Sequence, residues 1–201
     1  MEKDIRFRLL DEGKWVCGWG GSVGDELQRA AGLCFEFNST HPADVSGRER
    51  LFRSLVAEAG DGFTVHSPFR CDLGWNIRIG RNFTGNFGLC ILDEAPVRIG
   101  DNVFIGPNCT IATITHALLA EQRNRGIMAA RPVEIGDNVW LAAGVTVLPG
   151  ARIGEGAVIG AGSVVSGTIP PRVLAAGIPC RVIRHITDAD RVEEATLPPE
   201  M

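Results

Sequence analysis

The chain has 201 residues, of which 45% are hydrophobic and 22% charged, with a net charge of −4. This is room for one globular domain, or one domain with an appendage. The charge balance argues against a broad nucleic-acid-binding face. The basic residues are nearly all arginine, only Lys3 and Lys14 being lysine, and arginine suits bidentate capture of phosphate or carboxylate in a local pocket.

The N-terminal segment MEKDIRFRLLDEGKW is charged and lacks the apolar centre of a secretory signal. No stretch approaches the roughly 18 apolar residues that span a bilayer, so the expectation is a cytoplasmic protein without a membrane partner. Residues 1–60 read as helical. A short helix is expected from Asp25 to Leu33. A second should open at Ser46-Gly-Arg-Glu49, which has the form of a capping box with Ser at the N-cap. Leu51, Phe52, Leu55 and Val56 follow it with helical spacing.

Beyond residue 60 the period changes. Ile135, Leu141, Val147, Ile153, Ile159 and Val165 recur every six residues, with the small or β-branched Val139, Val145, Ala151, Ala157 and Ser163 at a fixed offset between them. Gly136, Gly154 and Gly160 directly follow their aliphatic residue. The same phase appears at Ile99, Ile105 and Ile111, and as an earlier echo at Leu73 and Ile79. A six-residue period is neither helical nor simple alternation. It fits one short strand plus one turn per unit, three units making a coil of a triangular prism, with stacked coils burying an aliphatic column. The 25 glycines then serve the turns. A β-sandwich with turns every eight to twelve residues does not account for the unbroken run from 135 to 165. The expected architecture is an all-β parallel β-helix of residues 61–186. A helical cap of residues 1–60 should cover its first strand edge, and an acidic, loose tail of residues 187–201 should follow.

Two interruptions stand out. Between Ile91 and Ile99 the spacing slips to eight, and between Ile111 and Ile135 the repeat is lost, so HALLAEQRNRGIMAAR should be a loop extruded from the prism. Loops thrust from a rigid scaffold concentrate function, and His116 opens this one. The six cysteines, Cys17, Cys34, Cys71, Cys90, Cys109 and Cys180, form no CxxC pair and read as small buried hydrophobes.

The segments EFNSTHP (36–42), NIRIGRNFTGNFG (76–88), IGDNVFIGPNCTI (99–111), IGDNVW (135–140), GAGSVV (160–165) and AAGIPCRVIR (175–184) resemble those of the galactoside and maltose O-acetyltransferases and the nodulation-type sugar acetyltransferases. The likeness runs from about residue 6 to residue 186. It implies a left-handed β-helix, a homotrimer with sites between neighbouring prisms, acetyl-coenzyme A as cosubstrate, no metal, and acetyl transfer to a hydroxyl of a sugar or similar acceptor.

The resemblance carries particular roles. His116 aligns with the catalytic base, and a neutral imidazole suits removal of a hydroxyl proton as the oxygen attacks a thioester. Asn86 matches a residue that contacts the acceptor, and its amide can stabilise developing negative charge. Asp72, Asp93 and Glu94 fall on coils that face the acceptor, and neighbouring strand residues face opposite ways, so which of Asp93 and Glu94 points inward is left open. Met128 is implied at the acceptor cleft. Trp140, Ala143, Ala161, Ser166, Gly167, Arg181 and Arg184 are implied on the coenzyme side, the two arginines holding phosphates.

The chain also departs from the pattern. Gly18 stands where the family commonly has an acceptor-binding Asp, with Trp15 and Trp19 on either side, and Gly167 replaces a Lys beside the coenzyme. A non-sugar acceptor, such as an antibiotic, and a catalytically dead trimeric scaffold are the rival readings. A zinc hydratase would need three histidines around an open metal position, and His66, His116 and His185 are wrongly spaced for it.

Overall fold

The structure, a computed structural model, describes residues 4–195. Short strands stack into three parallel sheets, the faces of a prism of about six turns. The first face holds Ile77–Ile79, Val97–Ile99 and Val133–Ile135. It begins with Glu58–Ala59 and ends with Thr168–Ile169. The second face runs from Thr64–Val65 to Val173–Ala176 and gains an antiparallel strand, Arg181–His185. The third runs from Phe69–Cys71 to Val164–Val165.

The six-residue aliphatic positions are the core. Ile79, Ile99, Ile135, Ile153 and Ile169 stack in register on the first face. Ile105, Leu141 and Ile159 stack on the second, and Ile91, Ile111, Val147 and Val165 on the third. All are buried, each worth about 1.5–3 kcal/mol against exposure. The turn from first to second face explains the IGDN motif. Asn82, Asn102 and Asn138 sit at φ of 55°, 55° and 59°, a region asparagine tolerates. Their amides form a ladder, Asn82 donating to Asn102 at 2.9 Å and Asn102 to Asn138 at 3.1 Å. A Cβ on Gly100 would stand 2.7 Å from the Asp137 nitrogen, so the coils can stack this closely only with glycine there.

The helices close the base. Helix α1 is Ile5–Asp11, α2 is Val23–Ser39 and α3 is Val45–Leu55. Helix α2 thus begins earlier and ends later than the Asp25–Leu33 span expected. The expected capping box is not formed either. Asp44 is the N-cap of α3, its carboxylate accepting from the Gly47 N–H at 2.9 Å, and Glu49 pairs instead with Arg53 at 3.0 Å. Phe37, Phe52 and Phe69 form an aromatic plug beneath the first coil. Asn38, in EFNSTHP, acts as a substitute strand: its amide donates to the Phe69 carbonyl and its oxygen accepts from the Phe69 N–H, both at 2.8 Å. It thereby satisfies an edge that would otherwise stay open.

Three further expectations are corrected. Leu73 does not join the aliphatic column; it packs with Phe7 and Leu10 in a second cluster under α1, and Cys71 takes the column position opposite Ile91. The segment after His116 is an ordered hairpin rather than a loop, as the site below requires. Among the cysteines, Cys34, Cys71, Cys109 and Cys180 are buried, whereas Cys90 is half-buried and Cys17 exposed. In the tail, Asp188–Asp190 form a 3-10 turn capped by Thr187; residues 196–201 lie outside the described residues. Among the described residues no helix is long and apolar enough to cross a membrane.

Candidate active site

The irregularities of the repeat all fall on one edge. Where the third face turns back into the first, Val147 and Ile153 are six residues apart, but Cys71 and Ile79 are eight apart, as are Ile91 and Ile99. The largest excursion, from Ile111 to Ile135, leaves at the same edge. Three successive coils are therefore widened on one side, and Asp72, Asp93, Glu94 and His116 lie there.

The widest excursion forms a hairpin. Ile114–His116 pairs antiparallel with Ile127–Ala130, which pairs in turn with Val16–Cys17 from the N-terminal region. A short helix α4, Ala120–Asn124, links the arms. Met128 lies in register between Val16 and His116. The ordering comes from side chains the hexapeptide pattern does not contain: Met128, Ala129 and Ala130 are buried, and Thr113 accepts from the Ala95 N–H while donating to the Leu92 carbonyl.

A cavity of about 140 Å³ opens between this hairpin, α1, α2 and the widened edge. His116, Glu94, Met128, Gly18 and Trp19 line it. The His116 ring is exposed, and no described residue hydrogen-bonds it. Gly18 is held by its N–H to the Gly126 carbonyl at 2.9 Å, and a Cβ there would lie 2.7 Å from the Met128 sulfur. Gly126 has φ of +76°, and a Cβ on it would collide with the Trp19 indole. Trp19 thus rests against bare backbone, a feature the sequence reading missed; the Gly126-Ile-Met turn after the helix was its signal. Trp15 is exposed and does not line the cavity. A larger cavity of about 430 Å³, lined by Val45, Phe63, His66 and Phe87, holds none of the candidate residues.

The two neighbouring carboxylates separate cleanly. Asp93 is fully buried and turned into the edge. Its Oδ1 accepts from the Leu73 and Gly74 N–H groups at 2.9 and 3.1 Å, and its Oδ2 from Asn76 N–H at 3.2 Å. It is fully buried and does not line the cavity, so the acceptor-facing role expected of it is corrected. Burial pushes its carboxyl up, opposed by these three bonds. Glu94 is the one that reaches the cavity. Strand parity could have separated them, since Leu89, Ile91 and Asp93 share the inward face.

Glu94 is 8% exposed and its Oε2 has no hydrogen-bond partner. Burial, then the hydrogen bond and charge of Asp72, push its carboxyl up to about 9. Both effects favour the neutral, protonated form of Glu94. A folded-state value raised from 4.5 to about 9 means a contribution to stability that is full below pH 4.5 and is lost as pH rises through 9. Thermal unfolding of wild type and Glu94→Gln between pH 5 and 9 should therefore diverge, the variant gaining on wild type as pH rises. Parallel curves would show that Glu94 is already ionised in the folded protein.

The coenzyme-side residues fall on two different edges. Ala143 and Ala161 lie at the turn from second to third face, as does Asn86, and all but Asn86 are exposed. A Cβ on the adjacent Gly162 would meet nothing within 4 Å, so this edge is a smooth, open channel. Trp140 stands exposed on the second face between Phe104 and Val158. Ser166 and Gly167 lie on the other edge, above the histidine hairpin. Asn86 accepts from the Phe87 N–H at 2.9 Å through its oxygen, which leaves its amide N–H groups as donors. Arg181 and Arg184 are exposed on the last strand of the second face. Arg184 already grips Asp190 through two bonds of 2.8 and 2.6 Å, and the guanidinium holds the Asp190 carboxyl down to about 2. Among the described residues no group of three or more His, Cys, Asp or Glu is placed to hold a metal.

A triangular prism of hexapeptide coils with a histidine hairpin on one edge defines a hexapeptide-repeat transferase. Residues 132–167 match the bacterial transferase hexapeptide (six repeats) family, and residues 96–115 match the hexapeptide repeat of succinyl-transferase. The galactoside O-acetyltransferase of Escherichia coli (strain K12) is 47% identical over 163 residues, 81% of this chain and 80% of that protein. The crystal structure of a maltose O-acetyltransferase from Clostridium difficile 630 superposes with a TM-score of 0.88 at 40% identity, covering 90% of this chain and 97% of that one. A galactoside acetyltransferase solved in complex with coenzyme A gives 0.89 at 40% identity, covering 96% and 98%. The chain belongs to the hexapeptide-repeat sugar O-acetyltransferase family and is an acyltransferase.

Proposed function

We propose that the protein moves an acetyl group from acetyl-coenzyme A to a hydroxyl of a small sugar-like acceptor, in a homotrimer whose sites lie between neighbouring prisms, with His116 as general base. The observation that carries this reading is the division of the candidate residues. His116 and Glu94 line a cavity on one edge, whereas Asn86, Ala143 and Ala161 occupy another. A ring of copies that sets the first edge of one chain against the second edge of the next assembles both halves, and a cyclic trimer does so three times over.

His116 takes the proton of the acceptor hydroxyl as its oxygen attacks the acetyl carbonyl. The tetrahedral oxyanion is met by the amide N–H of Asn86 from the neighbouring copy. Collapse breaks the carbon–sulfur bond, and the imidazolium returns its proton to the departing thiolate. The small residues of the channel let the pantetheine arm run along the edge, and Arg181 and Arg184 take the phosphates, Arg184 exchanging Asp190 for them. Met128 and Trp19 hold the acceptor against the hairpin.

Complementation tests the shared site. His116→Ala and Asn86→Ala are each expected to be nearly inactive in free-thiol release from acetyl-coenzyme A. Random mixed assembly of the two should recover about a quarter of wild-type activity, because half the histidine edges are intact and half of their neighbours carry Asn86. Mixed assemblies as inactive as the parents would mean that both residues act within one chain.

A further inference from the structure

Two of the buried cysteines meet. The Cys34 and Cys71 sulfurs lie 3.8 Å apart, in hydrogen-bond contact, and both are free thiols inside the core. Neither takes part in the chemistry above. Cys34 stands within α2, and Cys71 ends the strand Phe69–Cys71 of the first coil.

The contact is set by how helix and strand run past each other. Arg29 donates to the Leu73 carbonyl at 2.7 Å, and Asn38 bonds both backbone groups of Phe69 at 2.8 Å. Helix α2 therefore runs antiparallel to the strand and is fastened on both sides of Cys34. From 29 to 38 the helix rises about 13.5 Å, and an extended chain from 69 to 73 covers about 13 Å. The two elements keep pace between the fastenings, and residues 34 and 71 fall near the middle of both. Bonded sulfurs stand about 2.05 Å apart, so roughly 2 Å of movement closes the gap.

The two thiols are not equivalent. The hydrogen bond from Cys71, helped by the charge of Arg70, draws the Cys34 thiol down to about 7. The same bond pushes the Cys71 thiol up, together with burial and the charges of Asp93 and Asp72. Cys34 is thus the readier thiolate, the form that oxidants attack. The side chains are 3% and 9% exposed, so the oxidant must be small and uncharged, and hydrogen peroxide is both.

We propose that Cys34 and Cys71 form a redox latch: peroxide closes a disulfide between α2 and the first coil, and a dithiol reopens it. The latch is independent of the transfer chemistry. In the closing step the Cys34 thiolate attacks one peroxide oxygen, the O–O bond breaks, and hydroxide leaves. The Cys71 sulfur then displaces the sulfenic hydroxyl, which departs with the Cys71 proton as water as the S–S bond forms. The thiol pair is oxidised by two electrons and peroxide is reduced by two. Reopening is thiol–disulfide exchange, in which the added dithiol becomes the disulfide. Closed, the latch ties the cavity wall that α2 supplies, Val23 and Leu27, to the one that Leu73 supplies. The two cysteines are 37 residues apart in the chain, so the bond also restricts the unfolded state.

The test treats the reduced, intact protein with hydrogen peroxide, alkylates the remaining thiols and maps the peptides by mass spectrometry. A linked Cys34–Cys71 peptide is expected, and dithiothreitol should abolish it. The oxidised protein should unfold about 5–10 °C above the reduced one at the same protein concentration. Cys34→Ala, before and after peroxide, should show no such rise, and Cys71→Ala serves the same comparison. Peroxide that leaves both thiols free, carries Cys34 to the sulfinic acid, or links either cysteine to a different one would overturn the latch. So would a linked peptide with no rise in the midpoint, or an equal rise in the variants. Should neither variant fold, the peptide map and midpoint of the wild-type protein decide.

Discussion

Replacing His116 with alanine should lower kcat for acetyl transfer by about 10²–10⁴-fold, the range that a positioned general base supplies, while the KM for acetyl-coenzyme A stays near its wild-type value. The structure makes this a clean experiment. The imidazole is exposed, accepts and donates no hydrogen bond among the described residues, and ends an arm of the hairpin whose register is set by Met128 and Ala130 rather than by the ring. Removing it costs little packing, so the unfolding midpoint should not move. A loss of activity accompanied by a large loss of stability would signal a structural role. Near-normal turnover at saturating substrates would remove His116 from the mechanism.

The repeat was legible because every sixth residue must be aliphatic for a coil to close over its neighbour. The spacing from Ile135 to Val165 is by itself enough to announce three faces. Where the period fails, sequence reasoning loses its ruler. Leu73 has the right phase by count but sits in a widened corner, so it packs under α1 instead of in the column. The hairpin after His116 follows no hexapeptide rule, and its order depends on pairing with Val16–Cys17, more than a hundred residues away in the chain. The residue types of the candidate site were named through the family resemblance. Its division between two edges was not, because only the strand order tells which corner each residue occupies. The α3 cap shows the same limit at short range: Ser46 and Glu49 have the spacing of a capping box, yet Asp44, two residues earlier, takes the cap because its carboxylate reaches the Gly47 N–H.

The second large effect is expected at Asp93, and it concerns the fold rather than turnover. Replacement by alanine removes the acceptor for three buried N–H groups, those of Leu73, Gly74 and Asn76. It also loosens the turn in which the Asn76 side chain donates back to the Asp93 carbonyl at 2.8 Å. Each orphaned donor costs about 1–3 kcal/mol and the costs do not fully add, so the loss should be about 3–5 kcal/mol. It should appear as a shift of the urea midpoint at fixed protein concentration, since an oligomer's stability depends on that concentration. Asp93→Asn should fall between, because its amide keeps one acceptor oxygen but turns N–H groups toward a backbone that already donates. Glu94→Gln, one residue along, should leave the turn intact and act on the acceptor cavity. A change of less than about 1 kcal/mol in Asp93→Ala, the size of an ordinary surface substitution or little more, would mean that water replaces the carboxylate. The widened edge that carries His116 and Glu94 would then be held by the Thr113 and hairpin contacts alone.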